Sequence, residues 1–413
     1  MIVQQTSWLV SARHGFIAGV GFVDDCEVLV EGDRIAWVGH ADSTGPRPDT
    51  SAATPASFPG GTILPGLIDA HVHLTFSGLS DTVDVLRGED DLGSTVRALG
   101  NAQRALRHGV TTQVDCGSRG TVIARLRDSI FAGLASGPRI LSAGAPLTTT
   151  AGHCHWLGGA ADTLDEVTRG ARSRVADGSD VVKIMLTGGN MTAGTNPGAL
   201  QYPVETMHAL GAECARLGKP LVVHAHSTQA VRAAAEARAT VIAHATCYTD
   251  GAYELDNATL EVLVASGSFV DPTLTVGVPW DGADERTIAR SRVRSAMIPV
   301  YRRMHEAGVP LLAGTDGGST HVEHHTVARA ITALHDEVGL SLEEALHAAT
   351  DLPATAFGLR AETGALEAGL AADLVVVGGD LRMGLGPLAE PVAVWVRGAL
   401  AHGLIDTVEG SAA

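Results

Sequence analysis

The feature that most constrains this chain is an alternation of short apolar runs with longer stretches rich in Ala, Arg and Leu. The runs have the length and composition of buried strands, and the stretches between them favour helices, so the alternation predicts parallel βα units. Eight such units over roughly 300 residues are typical of an α/β fold of the (β/α)8 TIM-barrel type. An open doubly wound sheet is the alternative. The eight runs cover residues 62–74, 109–117, 138–144, 180–186, 219–226, 239–245, 267–274 and 309–316.

The residues before the first run have a different pattern. CEVLVEGDRIAWVG alternates apolar and polar residues around a turn at Gly32 and Asp33, which predicts a strand, a turn and a second strand. Residues 43–61 are rich in Pro, Ser, Gly and Thr and have no apolar period, so we predict a loop there with a boundary near Thr62.

The C-terminal residues again favour strands. LEAGLAADLVVVGGD and PVAVWVRGALA are rich in β-branched residues and Trp, in contrast to the helix-forming stretches before them. We therefore predict two domains: a small composite β-sandwich domain from residues 1–62 and 367–413, and a barrel domain from residues 63–366.

Composition and charge exclude several function classes. Lys and Arg total 29 against 46 Asp and Glu, so the formal net charge is −17, which opposes the basic surface that nucleic acid binding requires. No GxGxxG opens a helix after the first strand and no GxxxxGK[ST] occurs, so nucleotide binding is not expected. No apolar run approaches the ~18 residues of a membrane span, and the N-terminal residues lack a signal-peptide pattern. We expect no nucleic acid and no membrane partner.

Cysteine usage indicates a reducing compartment. The chain has 5 cysteines, an odd number, and none is spaced as CxxC. This pattern argues against a disulfide framework and against a zinc site made of thiolates. We predict a cytoplasmic protein.

Ionisable side chains recur at the C-terminal ends of the strand candidates, although unpaired charges are costly inside a fold. In a parallel barrel these ends share one face, on which active sites are built. Side chains at positions i and i+2 of a strand point the same way, so the first two histidines can converge on one ion. The candidate residues are His71, His73, Lys183, His224, His244 and Asp316.

This set suits a divalent metal. Imidazole nitrogens and a carboxylate are preferred ligands of zinc. A protonated lysine would repel a cation, but a desolvated lysine loses its proton readily and can capture carbon dioxide as an anionic carbamate able to bridge two ions. The alternative for Lys183 is a buried counter-ion to an acidic neighbour.

The strand motifs resemble those of the amidohydrolase superfamily, in its branch with two metals and a carboxylated lysine. The motifs that carry the resemblance are PGLIDAHVHL, VVKIMLTGG, LVVHAH, VIAHA and LLAGTDGG. Further segments resemble the imidazolonepropionase-like and Xaa-Pro dipeptidase-like group, namely GVTTQVDCG, TTAGHCHWLGG, NMTAGTNPG and GALEAGLAADLVVV. The resemblance covers nearly the whole chain.

The resemblance implies a mechanism and a ligand set. A hydroxide that bridges the two metals would attack an amide carbonyl, and Asp316 would take its proton and pass it to the departing amine. The cofactors would be two divalent ions, most simply Zn²⁺, and a carbamate derived from CO2. The implied ligands are His71, His73 and Asp316 for the first ion, His224 and His244 for the second, and carboxylated Lys183 between them.

Candidate substrate contacts come from the loops. His153 resembles a residue with which relatives contact the substrate carbonyl or carboxylate, so it is a candidate catalytic residue that stabilises an oxyanion. Tyr248 and His321 are further candidate substrate contacts, because each follows a ligand-bearing strand closely. The chain departs from many relatives at Ala243, where they carry Glu.

These observations favour an enzyme that hydrolyses an amide of a small molecule, of the dipeptide or N-acyl amino acid type. A lactam or other cyclic-amide hydrolase would use the same attack with a different pocket. A deaminase needs only one metal and no strand lysine, so Lys183 argues against it. A metal-free binding or assembly homologue would have lost ligands, whereas all six are present. A homo-oligomer is left open.

Overall fold

The computed structural model describes residues 7–278 and 285–403, and within them the chain has a mixed α/β fold. The predicted α/β class is therefore confirmed. The strands are β1 (Ser7–Ile17), β2 (Gly21–Glu31), β3 (Arg34–Gly39), β4 (Thr54–Pro65), β5 (Leu67–Val72), β6 (Val110–Asp115), β7 (Arg139–Ser142), β8 (Val182–Met185), β9 (Leu221–Ser227), β10 (Val241–Thr249), β11 (Ala252–Tyr253), β12 (Phe269–Asp271), β13 (Leu374–Val377), β14 (Ala393–Val396) and β15 (Ala399–His402).

Helices follow most of the central strands. None of the helices in the described ranges is both long and apolar enough to cross a membrane. The α-helices are α1 (Thr82–Gly88), α2 (Asp91–Arg107), α3 (Val122–Phe131), α4 (Leu164–Ala176), α5 (Val204–Leu217), α6 (Thr228–Glu236), α7 (Asn257–Ser266), α8 (Glu285–Glu306), α9 (Val327–Ala333), α10 (Leu342–His347) and α11 (Asp351–Ala356).

Both ends of the chain contribute to one seven-stranded sheet, in the order β15-β14-β13-β4-β1-β2-β3. The predicted hairpin is confirmed, because β2 and β3 pair antiparallel around the turn and Glu31 lies opposite Arg34. The predicted loop over residues 43–61 is wrong in its second half. There β4 begins at Thr54 and pairs parallel with β1, with a register shift where Pro59 and Gly60 interrupt the strand.

The central strands form two further sheets. β5, β6 and β7 are parallel neighbours, and β8, β9, β10 and β12 are parallel neighbours with the short β11 antiparallel on β10. Isolated parallel bridges connect these sheets on both sides, since Leu147 pairs with Ile184 and Val72 pairs with Gly317. The carboxyl ends of these strands therefore face the same way.

The eighth predicted run, residues 309–316, is not assigned as a strand. Leu311 makes a single parallel bridge to Val270 of β12. Further along the segment, backbone N–H groups donate to acceptors outside β12. The backbone N–H of Thr315 donates to Oδ1 of Asp69 at 3.1 Å, and Asp316 has a φ of 56°. A side-chain acceptor and left-handed backbone interrupt the ladder at the point where the segment reaches the site.

Apolar side chains from the strands pack against one another beneath the site. One buried cluster contains apolar residues from several central strands and from residues 309–316, among them Ala70, Val114, Val222, Val241 and Leu312. The terminal sheet adjoins this body through β1, where the ring of Phe16 lies 5.0 Å from the ring of His347, measured between centroids.

Candidate active site

The carboxyl ends of the central strands open into one cavity of about 600 Å³. Eight of the nine residues that the sequence singles out line this cavity. They come from positions up to 245 residues apart in the chain, so only the parallel arrangement of the strands brings them together. The eight are His71, His73, His153, Lys183, His224, His244, Tyr248 and Asp316.

His321 is the predicted substrate contact that the structure does not place on the cavity wall. Ser319 and Thr320 line the cavity next to it, whereas His321 is exposed and has a φ of 65°. A turn in which the N–H of Val322 donates to the carbonyl of Ser319 reverses the chain here. The histidine follows Asp316 closely in sequence but leaves the site because of that turn.

Three possible metal ligands, from the end of β5 and from residues 309–316, form one group. His71 Nε2 lies 3.7 Å and His73 Nε2 lies 3.3 Å from Oδ1 of Asp316. One ligand atom from each of the three residues falls within 4.8 Å of the others, which is the spacing that a single ion can bridge. The extended backbone of β5 directs both histidines to the same side, as the i, i+2 spacing predicts.

The other ring nitrogen of each of these two histidines, Nδ1, also has a hydrogen-bond partner. His71 Nδ1 lies 2.9 Å from Oδ2 of Asp271, and His73 Nδ1 lies 3.1 Å from the carbonyl oxygen of Gly117. Both partners accept a hydrogen bond, so each ring carries its proton on Nδ1 and presents a lone pair on Nε2. Burial lowers the pKa of His71 well below its usual value, which keeps this imidazole neutral.

A second group consists of three histidines, His224 and His226 from β9 and His244 from β10. One ring nitrogen from each lies within 4.8 Å of the others. The sequence prediction named His224 and His244 but missed His226. The signal was present, because His224 and His226 have the same i, i+2 spacing as His71 and His73 and therefore share one face of a strand.

Burial also controls the charge of this second group. Desolvation lowers the pKa of His224 and of His244 well below the usual value, and it lowers the pKa of His226 to about 4. Neutral imidazole is the form that binds a metal, so the donor chemistry of both groups fits a divalent cation.

The backbone at His244 is held in a left-handed conformation, with a φ of 65°. Two hydrogen bonds stabilise it. The hydroxyl of Tyr301 donates to the carbonyl oxygen of His244 at 2.7 Å, and Thr273 Oγ1 lies 2.9 Å from His244 Nδ1. Tyr301 is fully buried and lies 57 residues from His244 in the chain, so no local sequence pattern links the two.

Lys183 lies between the two groups on β8 and is 2% exposed. Its Nζ is 3.5 Å from His71 Nε2, and no carboxylate of the residues that the structure describes lies within 4.0 Å of it. The counter-ion alternative requires such a carboxylate. A buried amine without such a partner is costly when charged.

Two further groups on the wall can act on a substrate. Burial raises the pKa of Asp316, but the close contacts with His73, His71 and Lys183 outweigh this effect, so the net pKa lies below the usual value. His153 is 5% exposed, and burial lowers its pKa to about 3. Its Nδ1 is buried without a hydrogen-bond partner among the described residues, so this ring has an unused polar atom at the cavity.

Buried carboxylates support the ligand-bearing backbone, and the sequence prediction did not include them. Asp69 accepts from the N–H of His71 and from the N–H and hydroxyl of Thr315, and burial raises its pKa to about 8. Asp115 accepts from the N–H of Leu74, the residue after His73. These bonds fix the ends of β5 and of the last segment relative to each other.

Comparison with known proteins agrees with this architecture. The sequence profile described as the Amidohydrolase family matches residues 62–408. Ochratoxinase of Aspergillus niger is 27% identical over 378 residues, covering 83% of this chain and 76% of the relative. Imidazolonepropionase of Micrococcus luteus is 29% identical over 378 residues, covering 86% and 87%. A crystal structure of a Xaa-Pro dipeptidase with bound methionine superposes with a TM-score of 0.84 over 96% of this chain and 99% of the other, at 23% identity, which shows the shared fold alone.

Proposed function

The chain belongs to the amidohydrolase family, and from that premise we propose that it is a hydrolase with two zinc ions bridged by a carboxylated Lys183. The coarser activity follows from the family and its hydrolase relatives: the protein hydrolyses a carbon–nitrogen amide bond of a small molecule and depends on metal. The number of ions, their identity and the modified lysine are our proposal.

One observation carries this proposal: two groups of possible metal ligands line the same cavity as a buried lysine that has no carboxylate partner within 4.0 Å among the described residues. A carbamate on Lys183 would replace a costly buried cation with an anionic group whose oxygens can bind metal. We assign His71, His73 and Asp316 to the first ion, and His224 and His244 to the second, with His226 completing the second group of histidines.

The bound ions would supply a water molecule of lowered pKa as the nucleophile and would polarise the scissile carbonyl. The protein's own groups do the rest. Asp316 Oδ1 is held by His73 and is ionised, so it can accept the proton of the water and return it to the departing amine. His153, whose ring lies 4.7 Å from the ring of His224 between centroids, and Tyr248 also line the cavity, and we assign them the role of holding the carbonyl oxygen.

We propose that the substrate is of the dipeptide or N-acyl amino acid type. Two similar proteins support this proposal: an ochratoxinase and a Xaa-Pro dipeptidase, each of which is similar to this chain over most of its length. A cyclic amide is the second candidate, because an imidazolonepropionase is among the relatives at 29% identity. The chemistry at the metals would be the same, so the pocket decides between them.

The remaining parts of the proposal concern the whole chain. We propose that the strands β5, β6, β7, β8, β9, β10 and β12 and residues 309–316 close into a (β/α)8 barrel, supported by the bridges that connect the two central sheets. We also propose the division into a barrel domain, residues 63–366, and a domain from residues 1–62 and 367–413. The cytoplasmic location and a homo-oligomer stay predictions.

The test exploits the composition of the chain, which has only two lysines, Lys183 and Lys219. Protein prepared with zinc and ¹³C-labelled bicarbonate should show one carbamate carbon signal by NMR. We expect the signal to be absent in Lys183→Ala and retained in Lys219→Ala, the matched control.

Zinc content and turnover complete this test. We expect two zinc ions per subunit in the wild type and in Lys219→Ala, and a loss of zinc and of amide hydrolysis in Lys183→Ala. One retained ion with full turnover in Lys183→Ala would contradict the two-metal proposal and would favour a deaminase. A panel of dipeptides, N-acyl amino acids and lactams then distinguishes linear from cyclic substrates.

A further inference from the structure

Above the donor groups, the walls of the cavity are predominantly apolar. Three of the chain's seven methionines line this one cavity, Met185, Met191 and Met297. Phe76 adds a buried aromatic ring, stacked on the ring of His73 at 4.6 Å between centroids. Covering these apolar side chains with an apolar part of a ligand removes their surface from water, which is favourable. The wall therefore favours ligands that carry an apolar group.

The wall continues outward with the same character. Val276 and Val293 line the cavity toward its opening, and the rings of Tyr248 and Tyr253 pack at 5.5 Å between centroids. Val293 is 44% exposed, so its apolar side chain continues the cavity wall to the solvent. The apolar surface therefore extends from the donor groups to the solvent.

The cavity wall has little uncompensated positive charge. Apart from Lys183, Arg294 is the only Lys or Arg among the described residues that line it. Both terminal nitrogens of Arg294 donate to the carboxylate of Glu337, at 2.5 and 2.6 Å, and its Nε donates to the carbonyl of Leu274. Three of its five N–H groups are thus engaged, and its charge is neutralised by Glu337.

Methionine has a specific consequence for ligand choice. Its side chain is unbranched and polarisable, so it adapts to ligands of different shape and makes favourable contacts between sulfur and aromatic rings. A wall of three methionines beside a phenylalanine suits a ring better than a small or charged group, and it tolerates several ring shapes. A cavity of about 600 Å³ holds an amide with such a ring.

We propose that the amide substrate of this site carries a bulky apolar group, preferably an aromatic ring, on one flank of the scissile bond, and that Met191 and Met297 form the wall against which it packs. This inference rests on the proposed amide hydrolysis and adds the class of the substituent. It predicts broad tolerance among aromatic groups and poor use of glycine-sized ones.

The kinetic test varies only the size of each flank. N-acetyl-L-phenylalanine and N-acetylglycine differ on the amine side, and N-benzoylglycine and N-acetylglycine differ on the acyl side. Burying a ring predicts a kcat/KM about tenfold or more higher for at least one aromatic compound. We expect Met191→Ser with Met297→Ser to abolish most of that preference, while Met383→Ser, at an 86% exposed position, leaves it unchanged. Equal use of all three compounds, or a preference that survives the double substitution, would overturn the inference.

A binding measurement separates this inference from the proposed function. 4-Phenyl-2-butanone and 2-butanone resemble N-benzylacetamide and N-methylacetamide but cannot be hydrolysed. Titration calorimetry with the zinc-loaded protein should show the phenyl compound binding about tenfold or more tightly. If no amide is hydrolysed and this preference is present, the proposed function fails and the apolar pocket stands. Equal binding of the two ketones overturns the pocket assignment, whatever the activity.

Discussion

At the scale of single residues, the site depends on side chains held in unusual backbone. His244 and Asp316, both donors, have φ values of 65° and 56°, and Thr273, which contacts His244, has a φ of 49°. Left-handed backbone costs about 1 kcal/mol or more at a residue other than glycine, so it persists only where other contacts enforce it. The residues that supply those contacts are therefore as informative as the donors.

Tyr301 is one such residue, and its replacement by Phe removes only the hydrogen bond to the carbonyl of His244. We expect Tyr301→Phe to weaken zinc binding at the second group of histidines about tenfold and to lower the free energy of unfolding by about 1 kcal/mol. Zinc titration with a competing chelator measures the first effect.

The control is Tyr202→Phe. The hydroxyl of Tyr202 is also buried and donates to a backbone carbonyl at 2.8 Å, but that carbonyl belongs to Ala161, which is not a candidate metal ligand. It should lose similar stability with unchanged zinc affinity. Equal loss of zinc affinity in both variants would refute a positioning role for Tyr301.

Asp271 supports His71 in a comparable way, through the 2.9 Å contact to Nδ1. We expect Asp271→Asn to reduce zinc affinity at the first donor group and kcat/KM by about tenfold to 100-fold, because the amide no longer fixes the proton of the imidazole on Nδ1. Asp373→Asn is the matched control, since Asp373 is also a buried carboxylate but contacts Thr363 and Arg397 away from the cavity. If both substitutions reduce zinc affinity equally, the effect reflects general destabilisation.

At the scale of elements, local signals predict where helices begin better than they predict strands. The spacing of Ser341 and Glu344 predicts a capping box, and both of its hydrogen bonds are present at the start of α10. By contrast, the Pro- and Gly-rich sequence of β4 predicts a loop, and only pairing with β1 and β13 makes it a strand. A cap is satisfied within four residues, whereas a strand is stabilised by its neighbours.

The contact between α10 and α11 makes stability depend on pH. His347 Nδ1 lies 2.5 Å from the carboxylate of Asp351, whose hydrogen bond raises the pKa of His347 above its usual value of about 6.5. The folded protein binds the proton of His347 more tightly than the unfolded chain does. The contact between His347 and Asp351 therefore makes its full contribution to stability at pH values below the pKa of histidine in the unfolded chain. The contribution is lost as the pH rises through the raised pKa of the folded state.

We therefore expect the difference in Tm between the wild type and Asp351→Asn to be largest near pH 6 and to shrink at pH 9. Thermal unfolding across this range measures it. A difference that stays constant with pH would show that the carboxylate acts through packing. The ring of Phe16 packs on His347, so Phe16→Leu serves as a control whose effect should not vary with pH in this way.

At the scale of the whole molecule, the candidate metal ligands connect strands that lie far apart in the sequence. The first donor group joins β5 to residues 309–316, and the second joins β9 to β10, with Lys183 of β8 between them. A metal that binds the folded state and not the unfolded chain stabilises it by mass action, by about 2.7 kcal/mol at 100 times Kd. The site should therefore hold the central strands together as well as act on substrate.

Removal of the metal tests this coupling. We expect a chelator to lower the Tm by about 5 °C or more, and added ZnCl2 to restore it. Lys183→Ala, which lacks the proposed bridge, should show a smaller shift than Lys219→Ala. An unchanged Tm after complete removal of zinc would mean that the donors are arranged by the protein alone.

The residue types and spacings along the chain were enough to predict the α/β class and to single out six residues that line one cavity, because strand period and side-chain chemistry are local properties. The six are His71, His73, Lys183, His224, His244 and Asp316. Tertiary structure alone decided that His321 turns away from the cavity and that Asp271 supports His71. Asp271 and His71 are 200 residues apart, and no local pattern encodes their hydrogen bond. Such contacts follow from how the strands pack, so they appear only when the chain is folded.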